Sequence, residues 1–375
     1  VMRQVRYNLE NPRQEIDMVI FLNGLPLATL ELKNPWTGQR ARIQGIKQYK
    51  EDRDNRQPLL QFGRCIVHFA VDTDEVYMTT KLAGKSTFFL PFNKGHNLGQ
   101  GNPPNQNGHK TAYLWEDVFT KSSIANIIQH FVRLDGTSKD SLNKRTLFFP
   151  RYHQLDVVRQ LINHASKNGV GHTYLIQHSA GSGKSNSITW AAYQLIETYP
   201  KSADVPGSRG IEQPLFDSVI VVTDRRLLDK QLRDNIKEFS EVKNIVAPAF
   251  RSSELKSSLE NGKKIIITTI QKFPFIIDGI SDLSDKRFAV IIDEAHSSQS
   301  GSAHDNMNRA MGKSDIDEVD DAQDKVLQAM RSRKMRGNAS YLAFTATPKN
   351  STLEKFGQQQ EDGSFKPFHL YSMKQ

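Results

Sequence analysis

The sequence predicts an α/β protein in two parts, a mixed sheet with helices followed by a parallel α/β lobe. Three observations carry this. Up to residue 92, apolar runs cluster around short turn signals, as hairpins require. From residue 174 onward, short apolar runs alternate with helical segments, the pattern of parallel strands joined by crossover helices. Between them, residues 135–145 read DGTSKDSLNKR, a polar stretch suited to a boundary. The expected domains are therefore 1–140 and 141–375.

In order, residues 16–22 and 27–33 are apolar runs on either side of Asn23-Gly24, a hairpin signal. Residues 40–50 are expected as a helix on that sheet. Two further strands are expected at 65–71 and 75–80, joined through Asp72-Thr73-Asp74. Residues 93–110, rich in Gly, Asn and Pro, read as a long loop. Residues 114–132 read as a helix. The parallel strands are expected at 174–177, 218–223, 264–268, 288–292 and 341–345. The stretch 301–338, with Asp315, Asp317, Glu318, Asp320 and Asp321, is expected as a mobile surface excursion.

Composition narrows the class. The 375 residues carry 50 Lys+Arg against 41 Asp+Glu, a formal charge of +9 that permits a polyanionic partner. A hydrophobic share of 37% suffices for real cores. No run approaches the ~18 apolar residues of a membrane helix. The N-terminus, VMRQVRYNLENPRQ, has no apolar secretory region and reads as the middle of a domain, so a missing upstream start is expected. One cysteine, Cys65, excludes an internal disulfide or a cysteine zinc site and fits a reducing cytoplasm, the expected location.

Directly after the strand at 174–177 comes HSAGSGKS, residues 178–185. Ala180, Gly181, Ser182 and Gly183 are small enough for backbone N–H groups to converge on phosphate oxygens at a helix N-terminus. Lys184 is expected at the β- and γ-phosphates and Ser185 on Mg²⁺. This is a Walker A loop whose usual first glycine is replaced by His178. Residues 289–296, AVIIDEAH, supply a Walker B element. Asp293 would hold Mg²⁺ through water, and Glu294 would orient and deprotonate the attacking water. ATP and Mg²⁺ are the cofactors this pair requires.

Asp293-Glu294-Ala295-His296 resembles motif II, the DEAH box, of superfamily 2 helicases and translocases. The rest of that family's set stands in order. Arg151-Tyr152-His153-Gln154 resembles its adenine-reading motif, with Gln154 at the base. Val222-Thr223-Asp224-Arg225 and Thr268-Thr269-Ile270-Gln271 resemble its DNA-strand motifs. Thr345-Ala346-Thr347 resembles motif III, which couples nucleotide state to grip on DNA. The resemblance implies a RecA-like lobe. The chain ends soon after motif III, so the second lobe with its arginine finger is expected to be absent, and ATP turnover by this piece alone is expected to be weak.

Residues 15–35, EIDMVIFLNGLPLATLELKNP, offer a second chemistry. Glu31 and Lys33, two apart on one strand, project from one face. A loop of Asn23-Gly24-Leu25 pairs Leu22 with Pro26 and sets Asp17 opposite Glu31, unless a bulge at Pro26 slips the register by one. Two carboxylates and an ammonium on one patch suit metal-assisted phosphodiester hydrolysis. Asp17 and Glu31 would bind Mg²⁺, and Lys33 would orient water or meet developing charge.

Asp…Glu-Leu-Lys matches the core of the PD-D/E-x-K nucleases. With Asn23-Gly24-Leu25-Pro26-Leu27, Glu31-Leu32-Lys33-Asn34-Pro35, Phe89-Leu90-Pro91-Phe92-Asn93-Lys94-Gly95 and Asp293-Glu294-Ala295-His296-Ser297-Ser298-Gln299, the chain closely resembles HsdR, the motor and endonuclease subunit of type I restriction enzymes. That resemblance implies a PD-D/E-x-K nuclease domain followed by a first RecA-like motor lobe. It also implies a complex with methyltransferase and specificity subunits, which read the site while this subunit uses ATP to pull double-stranded DNA and then cuts it. The family's Gln-x-x-x-Tyr element has candidates in Gln44 and Tyr49, one residue further apart. Two alternatives stay open: a standalone helicase-nuclease of repair or another restriction class, and a DNA-binding scaffold with silent sites.

Overall fold

The computed structural model describes residues 1–8, 10–136, 139–223, 245–249, 252–270, 275–276, 280, 283–293 and 337–375. The chain divides into two compact units, residues 1–156 with 374–375, and residues 157–373.

The first unit is built on a six-stranded sheet in the order β1-β2-β3-β4-β5-β6. Its strands are β1 (Met2–Arg6), β2 (Glu15–Leu22), β3 (Leu25–Leu32), β4 (Val67–Val71), β5 (Val76–Thr79) and β6 (Leu90–Pro91). Only β3 and β4 pair in parallel among these strands, so the sheet is mixed. The β2–β3 turn is tighter than the three-residue loop expected. Asn23 and Gly24 both take positive φ, 48° and 84°, the geometry of a two-residue hairpin turn. Leu22 therefore pairs with Leu25, and Phe21 with Pro26. A bulge between Ile20 and Phe21 absorbs the difference, so Met18 faces Leu30 and the expected register survives at the far end of the hairpin.

A parallel β3–β4 pair needs a crossover. Part of it is the expected helix, which takes π-type turns at Ala41–Gly45 and Gln48–Asp52. Asp72 holds its start by accepting the Ala41 N–H at 2.8 Å. Ala41, Gly45 and Tyr49 are its buried residues. A Cβ on Gly45 would stand 3.0 Å from the Ala70 Cβ, so the glycine allows the helix to lie against β4. Tyr49 locks the contact from below: its hydroxyl shares a 2.7 Å hydrogen bond with Thr29, which shares another of 2.7 Å with His68 Nδ1. Burial lowers the His68 pKa to about 3, which keeps the ring neutral.

The expected helix at 114–132 is broken. A π-type turn at Leu114–Val118 precedes α1 (Lys121–His130), which Thr120 caps through the Ser123 N–H. β7 (Arg133–Asp135) and β8 (Thr146–Phe148) then form an antiparallel pair.

The second unit is organised by a seven-stranded sheet in the order β11-β12-β10-β13-β14-β9-β17, with every pair parallel. Its strands are β9 (Thr173–His178), β10 (Ser218–Thr223), β11 (Val246–Pro248), β12 (Ile265–Thr269), β13 (Phe288–Asp293), β14 (Ala339–Thr345) and β17 (His369–Tyr371). β15 (Gln358–Gln359) and β16 (Phe365–Lys366) form a small separate pair. Its described helices are α2 (Tyr152–Asn168), whose first five residues belong to the first unit and which precedes β9, α3 (Lys184–Ile196), α4 (Ser252–Glu260) and α5 (Asn350–Phe356). Every residue of β10, β13 and β14 is buried, which is why these strands read as mainly apolar runs instead of alternating ones. Ile220, Val222, Ile266, Val290 and Ile292 belong to one core cluster. The edge strands β11 and β17 were not anticipated, since three residues are too few to show a period. Among the described residues, no helix is long and apolar enough to cross a membrane.

Candidate functional site

Two sites emerge, one in each unit. In the second, β9 runs straight into the P-loop, and α3 begins at Lys184. Gly181 and Gly183 have φ of 75° and 80°, a left-handed backbone that side chains resist, so these two glycines are what the loop path requires. Ala180 and Gly181 are exposed, Ser182 is buried, and Gly183 to Ser185 are half-buried. Lys184 folds back, its Nζ donating to the carbonyls of His178 and Ser179 at 3.1 and 3.2 Å. Burial lowers its pKa, and the Asp293 carboxylate opposes that shift, so the two groups sense each other.

Asp293 ends β13, buried, paired with Thr223 on one side and Phe344 on the other. Strand β14 lies between β13 and β9, which sets the buried Thr345 between Asp293 and the P-loop. Thr347, two residues on, is exposed. These groups gather beyond the carboxyl ends of parallel strands, where such sheets bind ligands. Glu294, Asp224, Arg225, Gln271 and most of the 301–338 excursion lie outside the described residues. Arg151 and Gln154 belong to the first unit, where the buried Gln154 accepts the Arg151 N–H through Oε1 at 2.9 Å and so caps α2.

In the first unit the hairpin register brings Asp17, Glu31 and Lys33 together. Lys33 Nζ stands 3.8 Å from Glu31 Oε2 and 3.9 Å from Asp17 Oδ2. Asp17 Oδ2 also accepts the Leu32 N–H at 2.7 Å, which ties the two strands at the end of the hairpin. Glu31 is fully buried, and burial pushes its carboxyl up to about 7; Arg53 and Lys33 pull it down, while Asp17 pushes it further up. Arg53 Nε donates to Glu31 Oε1 at 2.6 Å. Glu31 Oε2 is buried without a hydrogen-bond partner.

Arg53 is the residue that sequence reasoning missed. It follows the helix, and no spacing ties it to Glu31; only the packed helix brings it there. Gln44 and Tyr49 have other tasks than the carboxylates. Gln44 Oε1 accepts the Arg40 N–H at 2.8 Å, and Tyr49 holds Thr29. Their five-residue separation suits a helix with i→i+5 bonds.

Comparison with known proteins decides the family. Residues 153–375 match the SWI2/SNF2 ATPase family model. The chain belongs to the SWI2/SNF2 ATPase family. Ahead of this ATPase, residues 1–87 match the type I restriction enzyme R protein N terminus, which bears out the HsdR resemblance. The type I restriction enzyme HindI endonuclease subunit of Haemophilus influenzae is 26% identical, over 88% of this chain and 29% of the relative. The SsaAORF53P endonuclease subunit of Staphylococcus saprophyticus is 25% identical, over 96% of this chain and 33% of the relative. The chain thus spans 29–33% of the length of these curated relatives. Among solved structures, the UvsW helicase from bacteriophage T4 aligns with a TM-score of 0.36 at 11% identity, over 66% of each chain.

Proposed function

We propose that this chain combines a PD-D/E-x-K nuclease domain with the first RecA-like motor lobe of a type I restriction enzyme R subunit. Its work would be ATP-driven movement along double-stranded DNA, coupled to Mg²⁺-dependent cleavage. The methyltransferase and specificity subunits would be its partners, in the cytoplasm. The observation that carries the nuclease half is the buried Glu31 Oε2. It lacks a hydrogen-bond partner and stands 3.8 Å from a lysine that also reaches Asp17. Leaving such an atom unsatisfied costs roughly 1–3 kcal/mol or more for a charged group. A cation would remove that cost.

The donor set fits Mg²⁺, which is commonly held by one or two carboxylates, substrate phosphate and water instead of a full protein cage. Asp17 and Glu31 would hold the ion, which supplies charge neutralisation at a scissile phosphate. Lys33 keeps an ammonium between the carboxylates, where it can orient water or meet charge developing on the phosphate.

In the motor, Lys184 and Ser185 would hold the ATP phosphates and Mg²⁺ together with Asp293, and the backbone N–H groups from Ala180 to Gly183 would bind the phosphates. Glu294 would orient the attacking water, and Thr345 and Thr347 would link nucleotide state to DNA grip. The test uses the full-length subunit assembled with its partners. Lys33→Ala should abolish cutting while ATP-driven translocation continues. Cleavage at the wild-type rate would sink the nuclease assignment.

A further inference from the structure

Arg53 has no part in the proposed chemistry, yet it makes the shortest contact in the nuclease patch. It stands where the second π-type turn ends. Its N–H donates to the Gln48 carbonyl at 3.0 Å, and its backbone then turns extended. Its side chain is 7% exposed, and the guanidinium carbon lies 5.5 Å from the centre of the Tyr7 ring. A buried guanidinium is costly unless it is paired. Here its Nε–H pairs with a single oxygen, Glu31 Oε1, at 2.6 Å.

That choice of oxygen has a consequence. The terminal torsion of a glutamate is broad and roughly two-fold, so an unrestrained carboxylate can offer a cation either oxygen or both. A charge-assisted hydrogen bond to Oε1 removes this freedom. The oxygen left over is Oε2, the one that faces Lys33 without a hydrogen bond. Asp17 is anchored differently, since its Oδ2 both accepts the Leu32 N–H and lies 3.9 Å from Lys33 Nζ. The guanidinium is itself placed by the helix before it, through Gly45 on Ala70 and Tyr49 on Thr29.

We propose that Arg53 is a positioning residue of the nuclease site. It claims one oxygen of Glu31 so that the other alone is presented to a divalent cation. The inference rests on the nuclease reading above. Arg53 touches no reacting atom and acts through Glu31. Its planar fork fixes a direction, which a lysine ammonium, a mobile point charge, does not.

The experiment is calorimetric titration of Mn²⁺ into the whole chain, with Asp293→Asn as background to remove the motor's carboxylate. Each variant is titrated well below its own melting temperature. Arg53→Met should weaken Mn²⁺ binding roughly 10–100-fold, the usual effect of losing a group that orients a ligand. Arg53→Lys keeps a positive charge beside Glu31, which protects the fold, and should recover less than half of that loss on a logarithmic scale. Glu31→Gln is the control for the underlying reading. If Glu31→Gln loses Mn²⁺ while both Arg53 variants bind as the parent does, the positioning role is wrong and the nuclease site stands. If Glu31→Gln also binds as the parent does, the nuclease reading fails and the inference falls with it. Lower melting temperatures with unchanged Mn²⁺ affinity would make Arg53 a purely structural residue and overturn the proposal. Full recovery by Arg53→Lys would show that charge alone matters, and would overturn it too.

Discussion

Raising the pH from about 5 to about 8 without divalent metal should loosen the strand that carries Glu31. Burial places the Glu31 carboxyl near 7 against an ordinary 4.5. The folded chain therefore holds this proton more tightly than the unfolded chain does. The protonated form's contribution to stability is complete below about pH 4.5 and is lost as pH rises through about 7. A gap of about 2.5 at about 1.4 kcal/mol per pH unit is worth about 3.5 kcal/mol in full, of which about 2.5 kcal/mol is lost between about pH 5 and about pH 8. Because Glu31 is fully buried, solvent screening takes little from that figure. A two-unit chain need not unfold in one step, so a local probe is required. Hydrogen exchange of the β3 amides, corrected for intrinsic rates and recorded in a chelator, reads the opening free energy of this strand directly. Glu31→Gln keeps an acceptor for Arg53 but cannot ionise, so its β3 protection should change far less between the two pH values. Saturating Mg²⁺ should restore much of the wild-type loss at high pH. Equal pH slopes in wild type and Glu31→Gln would refute the reasoning.

Lys184→Ala should weaken binding of a fluorescent ATP analogue by about 10–100-fold, the value of one hydrogen bond to a charged group, and binding unchanged by the substitution would argue against a phosphate role. Thr29→Val leaves Tyr49 and His68 without their shared partner inside the sheet, and should destabilise the first unit by about 1–3 kcal/mol as read by hydrogen exchange. Gly45→Ala sets a methyl 3.0 Å from Ala70; overpacking of about 1–3 kcal/mol should exceed the helix-propensity gain of about 1 kcal/mol, and a more stable variant would contradict the close approach.

The sequence by itself determined the parallel lobe and the glycine loop after β9. β10, β12 and β13 are apolar runs rich in Val and Ile, and strands buried on both faces leave that mark whatever packs on them. Gly181 and Gly183 were legible because the turn from β9 into α3 requires a left-handed backbone path, and such local requirements are written in adjacent residues. The convergence of Asp17 and Glu31 on Lys33 was legible for a related reason: period-two alternation and one turn signal fix a hairpin to within a residue. Tertiary structure decided that last residue. The left-handed pair Asn23-Gly24 closes a two-residue turn, and the bulge at Ile20 and Phe21 returns the register to the one that joins the carboxylates. It alone decided Arg53 as well. A guanidinium that follows a helix reaches Glu31 only because Gly45 fits against Ala70 and Tyr49 bonds Thr29, contacts between segments whose separation along the chain carries no period. Burial is the same kind of property. Glu31 and Asp17 are both acids near strand ends in sequence, and only packing leaves one fully buried near pH 7 and the other partly open to water.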